Sequence, residues 1–250
     1  AQRLLGFFGL EQDMGTIRPS DISRYQKHRL KSVSPSTYNK EIGLLSVAIN
    51  YANSEWDWGL SNPCIGKRLP EPQGNAVFLT FEEAAKLIAA VDKKAPHLVD
   101  LVDLAVQTGC RRKELLELEW DRVDWKNNEI ILEARHTKSA KPRKVPINPS
   151  VRSVLIGRAS VRSEYCPSTP WVFFHIEKCR NTEVGDRIKD VKTAMQSACK
   201  RAGLTGVTFH TLRHTCASWL GQMSGVEALT IRDLLGHSSV TMTDRYMHSD

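Results

Sequence analysis

Apolar and polar positions alternate with a helical period over the first third of the chain. After Ser34 and Pro35, apolar residues recur at steps of four and three on one predicted helix face: Tyr38, Ile42, Leu45, Ile49 and Ala52. Serine before proline marks a helix start, since the hydroxyl caps free N–H groups and proline suits the first helical position. Shorter helices are predicted at about 4–8 and 21–30. This part of the chain is therefore predicted to be a small helical domain.

The helical pattern stops in the stretch 63–75, which holds three prolines and two glycines without apolar periodicity. Such a composition is typical of a linker. A new pattern starts at Thr80, because Thr80 and Glu83 have the spacing of a capping box. We therefore predict a helical domain over 1–70, a linker over 71–79 and a second domain over 80–250.

Further helices are predicted in the second domain. The pattern indicates helices up to about 91 and over 97–107, then a break at Gly109 and a helix anchored by leucines: Leu115, Leu116 and Leu118. A later helix is expected over 184–202, with Gly203 just past its end. Its predicted apolar face consists of Ile188, Val191, Met195 and Ala198.

Two short strands are predicted between these helices, at 129–133 and 143–147, with a polar hairpin tip at 136–142. The apolar stretch 171–174 is either a third strand or a buried turn. The predicted fold class is therefore mainly α with a small β-sheet, an α+β arrangement.

The composition is that of an ordinary globular chain with a basic surplus. It is 41% hydrophobic and 25% charged, with a net charge of +7. A basic surplus suggests a polyanionic partner, either a nucleic acid or a membrane surface. No segment approaches the roughly 20 apolar residues of a spanning helix, so we expect no membrane partner. Six cysteines without a C-x-x-C pair indicate free thiols rather than zinc or disulfides, which suits a reducing cytosol.

Basic residues lie between the apolar stripes of the first domain: Arg24, Lys27, Lys31 and Lys40. They form either an ordinary solvated face or a face that follows DNA phosphates. Given the total charge, we retain them as candidate DNA contacts.

Polar residues that can take part in catalysis or phosphate binding are concentrated near the end of the chain. His210 and Arg213 are three positions apart, so on a helix they share a face and can reach one object. An arginine fork matters most where that object is a phosphate or carboxylate. His237 and Tyr246 follow, nine positions apart. Each residue alone is usually structural, but together they require a joint explanation.

Two earlier residues extend this set. Arg111 lies at the helix break beside Gly109, where a side chain can face a cleft. Lys138 lies on the polar hairpin tip. The matching segments, in chain order, are TGCRRKEL at 108–115, TKSAKPRKVPI at 137–147, HTLRH at 210–214, LGHSS at 235–239 and Tyr246.

These segments resemble the tyrosine recombinase (phage integrase) family. The resemblance covers 80–250 and extends more weakly over 1–70, which is similar to that family's helical core-binding domain. It implies a site-specific recombinase that cleaves and rejoins DNA through a 3′-phosphotyrosyl intermediate. It also implies that no metal and no cofactor take part.

The resemblance assigns roles that agree with the chemistry. Arg111 and Arg213 clamp the scissile phosphate, because charge develops on its non-bridging oxygens in the transition state. Tyr246 is the nucleophile, and a phenol with a pKa near 10 needs a base or a strong field nearby. His210 is the candidate base or hydrogen-bond partner, and Lys138 is the candidate general acid for the 5′ oxygen.

The remaining expected site residues support this set. His237 is expected to donate a hydrogen bond to the scissile phosphate, and Glu114 is expected to orient an arginine by ion pairing. Lys138 has basic neighbours that are expected to contact backbone phosphates: Lys141, Arg143 and Lys144.

The resemblance also implies partners and an assembly. The expected partner is double-stranded DNA, bound by a homotetramer on two sites that proceeds through a Holliday junction, with possible accessory DNA-bending proteins. The expected location is cytoplasmic and nucleoid-associated, for a protein encoded by a prokaryote or a phage. A C-terminal tail beyond Asp250 is expected from the family pattern, and an arm-binding domain before Ala1 stays open.

Two alternatives stay open. A type IB topoisomerase-like relaxing enzyme uses the same residue types but does not join different duplexes. A DNA-binding regulator would keep the fold without the reaction, although such a protein has no chemical reason to retain the whole set.

Overall fold

The computed structural model describes residues 1–71, 77–134, 142–178 and 181–236. The chain divides into two compact units, Ala1–Asn75 and Ala76–Asp250. Among the described residues, no helix is both long enough and apolar enough to cross a bilayer. The five cysteines within these ranges are free thiols.

The first unit contains helices α1 (Gln2–Phe8), α2 (Pro19–Arg29) and α3 (Pro35–Trp56). Ser34 caps α3, since its hydroxyl accepts a hydrogen bond from the Thr37 N–H at 3.4 Å. All five residues of the predicted stripe on α3 are buried, as the period indicated. Ile22 and Tyr25 of α2 pack in the same core. That this unit is a DNA-binding domain stays a prediction.

The second unit contains the remaining helices and one sheet. Its helices are α4 (Phe81–Ala89), α5 (Pro96–Thr108), α6 (Arg112–Leu116), α7 (Pro149–Tyr165), α8 (Lys192–Arg201), α9 (Phe209–Gly221) and α10 (Ala228–Leu235). Its strands are β1 (Val123–Asp124), β2 (Glu129–Leu132) and β3 (Arg143–Pro146), an antiparallel sheet in the order β1-β2-β3. The predicted class, mainly α with a small sheet, is confirmed.

Helix α5 lies at the centre of the second unit and packs against α9, α7, α6 and α4. It is apolar on most faces, and Leu101, Leu104 and Ala105 are fully buried. The segment before α4 also belongs to this unit, because the Leu79 N–H donates to Thr215 Oγ1 at 2.9 Å. Leu79, which lies in the predicted linker range 71–79, therefore packs with the second unit, and the linker bounds stay a prediction.

One predicted helix is half its expected length. The apolar face predicted over 184–202 is buried, but α8 begins only at Lys192. Residues 184 and 185 form a turn in which Gly185 has φ +90, and the Ile188 N–H donates to the Phe173 carbonyl at 3.1 Å, so the first half is not helical. Here the helical spacing of apolar residues was coincidental.

Two other segments refine the prediction. Residues 171–174 form isolated bridges, Glu119–Trp171 and Phe174–Arg187, rather than a strand. Helix α7 was not predicted, although Asn148 caps it, accepting from the Val151 N–H at 2.9 Å.

Candidate active site

Arg111 lies at the turn between α5 and α6. Gly109 ends α5 with φ +61, a conformation that favours glycine. Arg111 then caps α6, and its N–H donates to Glu114 Oε2 at 2.7 Å while its Nη1 donates to Oε1 at 2.8 Å. Glu114 is buried, whereas the Arg111 side chain is 27% exposed. The expected pairing of Glu114 with an arginine is therefore present in the geometry.

Helix α9 supplies the second arginine. Thr208 caps this helix, so His210 lies in its first turn and Arg213 one turn later. Arg213 is buried, and its Nη1 donates to the Gly109 carbonyl at 2.7 Å while Nη2 donates to the Leu235 carbonyl at 2.5 Å. Burial, with repulsion from Arg111 and Arg143, lowers the pKa of Arg213 to about 10. The group stays protonated at neutral pH in a site with a surplus of positive charge.

The C-terminal end of α10 receives hydrogen bonds from three arginines. The carbonyl of Leu234 accepts from Arg143 Nε at 2.9 Å, and that of Leu235 accepts from Arg213. The Gly236 carbonyl accepts from Arg111 Nη2 at 3.4 Å. A helix C-terminus carries partial negative charge, which suits cationic donors. Three segments distant in sequence are thereby joined at one point.

The structure corrects the expectation that Arg143 contacts DNA phosphates. Its side chain is 7% exposed, and its Nη1 and Nη2 donate to Glu114 Oε1 and Oε2 at 3.0 and 2.6 Å. Burial alone would raise the pKa of the Glu114 carboxyl, but the bonds and charge of Arg143, with those of Arg111, lower it overall. Arg143 therefore belongs to the interior of the site.

A cleft of about 870 Å³ brings three of the predicted catalytic residues together: Arg111, His210 and Arg213. Six lysines and arginines line it: Arg111, Arg112, Lys113, Lys192, Lys200 and Arg213. Among the described residues that line this cleft there is no aspartate or glutamate. His210 is exposed, and its ring lies 4.4 Å from that of His214. The cleft thus presents concentrated positive charge beside an imidazole.

Four of the predicted site residues lie outside the described residues: Lys138, Lys141, His237 and Tyr246. The strands that flank the predicted hairpin tip are described, with Ile130 opposite Val145. His237 follows Gly236 directly in the sequence. Their roles stay predictions.

The remaining candidate DNA contacts lie at the surface. Exposed residues of the first unit include Arg24, Lys27, Lys31 and Lys40. Lys144, on the outward face of β3, pairs with Glu129 at 2.7 Å.

Sequence reasoning missed the cleft cations Lys192 and Lys200. Both are exposed positions of α8. The predicted apolar stripe of this helix had already indicated which positions face outward. What the sequence did not indicate is that this outward face borders Arg111 and Arg213.

The arrangement suits recognition of a phosphodiester. Two guanidiniums and an imidazole share one cleft, and the buried network behind them fixes the arginines without neutralising them. Preorganised donors of this kind stabilise charge that develops on phosphate oxygens.

Comparison with known proteins agrees with this geometry. The model of the phage integrase family matches residues 77–250. The integrase of Salmonella phage P22 is 28% identical over 225 residues, which are 87% of this chain and 55% of the relative. The shufflon-specific DNA recombinase of Escherichia coli is 27% identical over 246 residues, covering 95% of this chain and 59% of the relative.

Solved structures share the fold. The Tn1549 transposon integrase in complex with a circular intermediate DNA superposes with a TM-score of 0.78 at 20% identity, covering 98% of this chain and 86% of that one. A lambda integrase dimer bound to a COC′ core site gives a TM-score of 0.79 at 19% identity, covering 98% and 84%.

The chain spans less than two thirds of the length of the phage P22 and Escherichia coli relatives. The match to the family covers most of the second unit and includes Arg111, His210 and Arg213. The chain belongs to the phage integrase family.

Proposed function

We propose that the protein is a site-specific DNA recombinase of phage or mobile-element type, which cleaves and rejoins DNA through a 3′-phosphotyrosyl intermediate. The observation that carries the proposal is the cationic cleft shared by Arg111, His210 and Arg213. Arg111 and Arg213 come from segments about a hundred positions apart, yet both bind the end of α10. A purely structural role for either arginine does not explain why both also line the same cleft.

In this mechanism the two arginines hold the non-bridging oxygens of the scissile phosphate. Both donate within the protein, which fixes their orientation before DNA binds. The phosphate supplies the negative charge that the cluster lacks. Because charge on these oxygens grows as the nucleophile approaches, the interaction is stronger in the transition state than in the ground state.

The chemical steps balance without a cofactor. The Tyr246 oxygen forms a bond to phosphorus, and its proton passes to His210. The bond between phosphorus and the 5′ oxygen breaks, and Lys138 donates a proton to that oxygen. His237 donates a hydrogen bond to the phosphate. In rejoining, the 5′ hydroxyl of a partner strand attacks phosphorus and gives its proton back to Lys138, while the bond between phosphorus and the Tyr246 oxygen breaks and that oxygen regains its proton from His210.

The proposed partner is double-stranded DNA, acted on by a homotetramer in the cytoplasm. The solved lambda integrase is a dimer bound to a core site, and the Tn1549 integrase is bound to a circular intermediate DNA. The basic surplus of this chain supports the same type of partner. Accessory DNA-bending proteins belong to the proposal for the full-length protein.

A nicked suicide substrate tests the proposal. The nick lets a short 5′ product diffuse away, so cleaved DNA stays attached to the protein and migrates as an adduct on a denaturing gel. Wild type is expected to give the adduct and Tyr246→Phe none, while Tyr165→Phe, an exposed tyrosine on α7, should react normally. An adduct formed by Tyr246→Phe would refute the nucleophile assignment.

The same experiment separates the alternatives. No adduct from the folded, DNA-bound wild type would favour a regulator. An adduct with relaxation of supercoiled plasmid, but without joining of two labelled duplexes, would favour a topoisomerase-like enzyme.

A further inference from the structure

Strand β3 directs one arginine into the protein. Arg143 and Val145 lie on one face of the strand, and Val145 is buried, whereas Lys144 points to the solvent. An arginine placed on the inward face of a strand must find anionic or carbonyl partners, because a buried unpaired charge is costly.

Arg143 finds two kinds of partner. Its Nη1 and Nη2 form a bidentate pair with Glu114, and its Nε donates to the Leu234 carbonyl at the end of α10. The same two Glu114 oxygens accept from Arg111 Nη1 and from the Arg111 N–H. The carboxylate is therefore held between Arg143, away from the cleft, and Arg111, which lines it.

The side chain of Arg143 also packs close to Gly236. A Cβ added at Gly236 would lie 3.2 Å from Arg143 Cδ and 3.3 Å from Nη1. Gly236 has φ +66 and directly precedes His237 in the sequence. One side chain thus contacts the partner of Arg111 and the residues that lead to His237.

The pairing of Glu114 with both Arg111 and Arg143 affects the net charge of the cleft. If Glu114 faced Arg111 alone, its full charge would compensate the cleft arginine. Shared between two guanidiniums, the carboxylate fixes Arg111 while leaving positive charge for a phosphate.

We propose that Arg143 is a positioning residue for DNA cleavage, which holds Glu114, and through it Arg111, and the end of α10 in the geometry that cleavage requires. The inference rests on the proposed function. Arg143 does not touch DNA in this account. A misplacement of about 1 Å in a reacting geometry can lower a rate about a hundredfold, so the loss of this support is measurable.

Single-turnover cleavage of pre-bound suicide substrate tests the inference. Arg143→Met should lower the rate constant of the folded, DNA-bound protein by about tenfold to a hundredfold. Arg143→Lys keeps a positive charge near Glu114 but cannot form the bidentate pair and the carbonyl bond together. It should fold and give an intermediate rate constant.

Two control variants separate positioning from general stability. Arg152→Met changes an exposed arginine of α7, whose Nη1 donates to Asn128 Oδ1 at 2.7 Å and which does not line the cleft. Arg158→Met removes another buried arginine of the second unit, whose Nε donates to the Val172 carbonyl at 3.1 Å, and which does not line the cleft. A purely structural loss should lower the melting temperature and the reacting fraction of protein, not the rate constant of the fraction that reacts.

A 5′-phosphorothiolate substrate adds a second readout, because its sulfur leaves without a proton. It should rescue Lys138→Ala but not Arg143→Met, since Arg143 acts on the phosphate clamp. Wild-type rate constants for both Arg143 variants, the same loss in Arg158→Met, or rescue by the phosphorothiolate would each overturn the inference. Absence of an adduct from wild type would instead overturn the proposed function.

Discussion

At the scale of residues, the site contains more positive than negative charge. The cluster holds three guanidiniums and one buried carboxylate, which pairs with Arg111 and Arg143, while Arg213 donates to a carbonyl of α10 that supplies only partial negative charge. The result is a cluster with a surplus of positive charge. Burial, together with repulsion from Arg111 and Arg143, lowers the pKa of Arg213. Glu114 supplies the one full negative charge that pairs with Arg111 and Arg143, so its removal leaves these arginines with backbone carbonyls as partners and with their mutual repulsion.

The stability that Glu114 contributes should depend on pH. Its pKa is lowered in the folded protein, so its contribution is present above the ordinary carboxyl value of about 4.3 and is lost as pH falls towards the lowered value. Glu114→Gln should reduce the free energy of unfolding by about 3 kcal/mol at pH 7, with a smaller difference from wild type near pH 4.

Urea denaturation at both pH values measures this difference. Glu82→Gln, which changes an exposed carboxylate at the start of α4, provides the background. A Glu114→Gln difference that stays constant between pH 7 and pH 4 would contradict the buried ion-pair network.

The sequence predicted the residues of the cleft better than those behind it. Arg111, His210 and Arg213 were identified from their spacing and family motifs, and they do share a cleft. Arg143 was wrongly expected to contact DNA phosphates, because it lies in a basic run beside Lys138. The alternation with Val145 along β3 contained the correct signal, but its partner Glu114 is far away in sequence.

At the scale of elements, the site depends on the approach of α5, α9 and α10. Gly109 permits that approach, because a Cβ there would collide with Leu235 of α10 and lie 3.2 Å from Cys216 Sγ of α9. Elsewhere, local signals predicted helices where caps and periodicity agree, as for α3 at Ser34 and α4 at Thr80. Over 184–191 the helical spacing of apolar residues wrongly predicted a helix. The backbone there instead forms hydrogen bonds with Phe173 and His175.

Gly109→Ala should destabilise the protein by about 2 to 5 kcal/mol, the sum of a strained positive φ and overpacking. The matched control is Gly203→Ala, where φ is +70 but nothing lies within 4 Å of the added Cβ. That variant should lose only about 1 to 2 kcal/mol. Urea denaturation of both measures the difference, and equal losses would contradict the close packing of α5 against α10.

At the scale of the whole molecule, positive charge is concentrated in the cleft of a chain whose net charge is +7. Charge alone suggested a polyanion without naming it. The cleft concentrates six lysines and arginines, of which two, Arg111 and Arg213, are predicted catalytic residues, and this cluster suits the phosphates of duplex DNA. The sequence could not indicate this, because α6, α8 and α9 come together only in the fold.

Binding to duplex DNA should therefore weaken steeply with salt. If about six phosphates are neutralised, the affinity should fall about a thousandfold between 50 and 200 mM salt, because bound counterions are released. Lys200→Ala should reduce the slope of log affinity against log salt by about 1. Fluorescence anisotropy measures both, and a flat response would contradict a phosphate-binding cleft.

We propose that Arg111 and Arg213 act on one phosphate. A DNA substrate with a methylphosphonate at the scissile position tests this proposal. There a methyl group replaces one charged oxygen, so less charge needs compensation. Arg111→Ala, in which Arg143 still pairs with Glu114, should lower the single-turnover cleavage rate of ordinary DNA by about a hundredfold or more. On the methylphosphonate the loss should be much smaller, about tenfold or less; an equal loss on both substrates would show that Arg111 does not act on the charge of this phosphate.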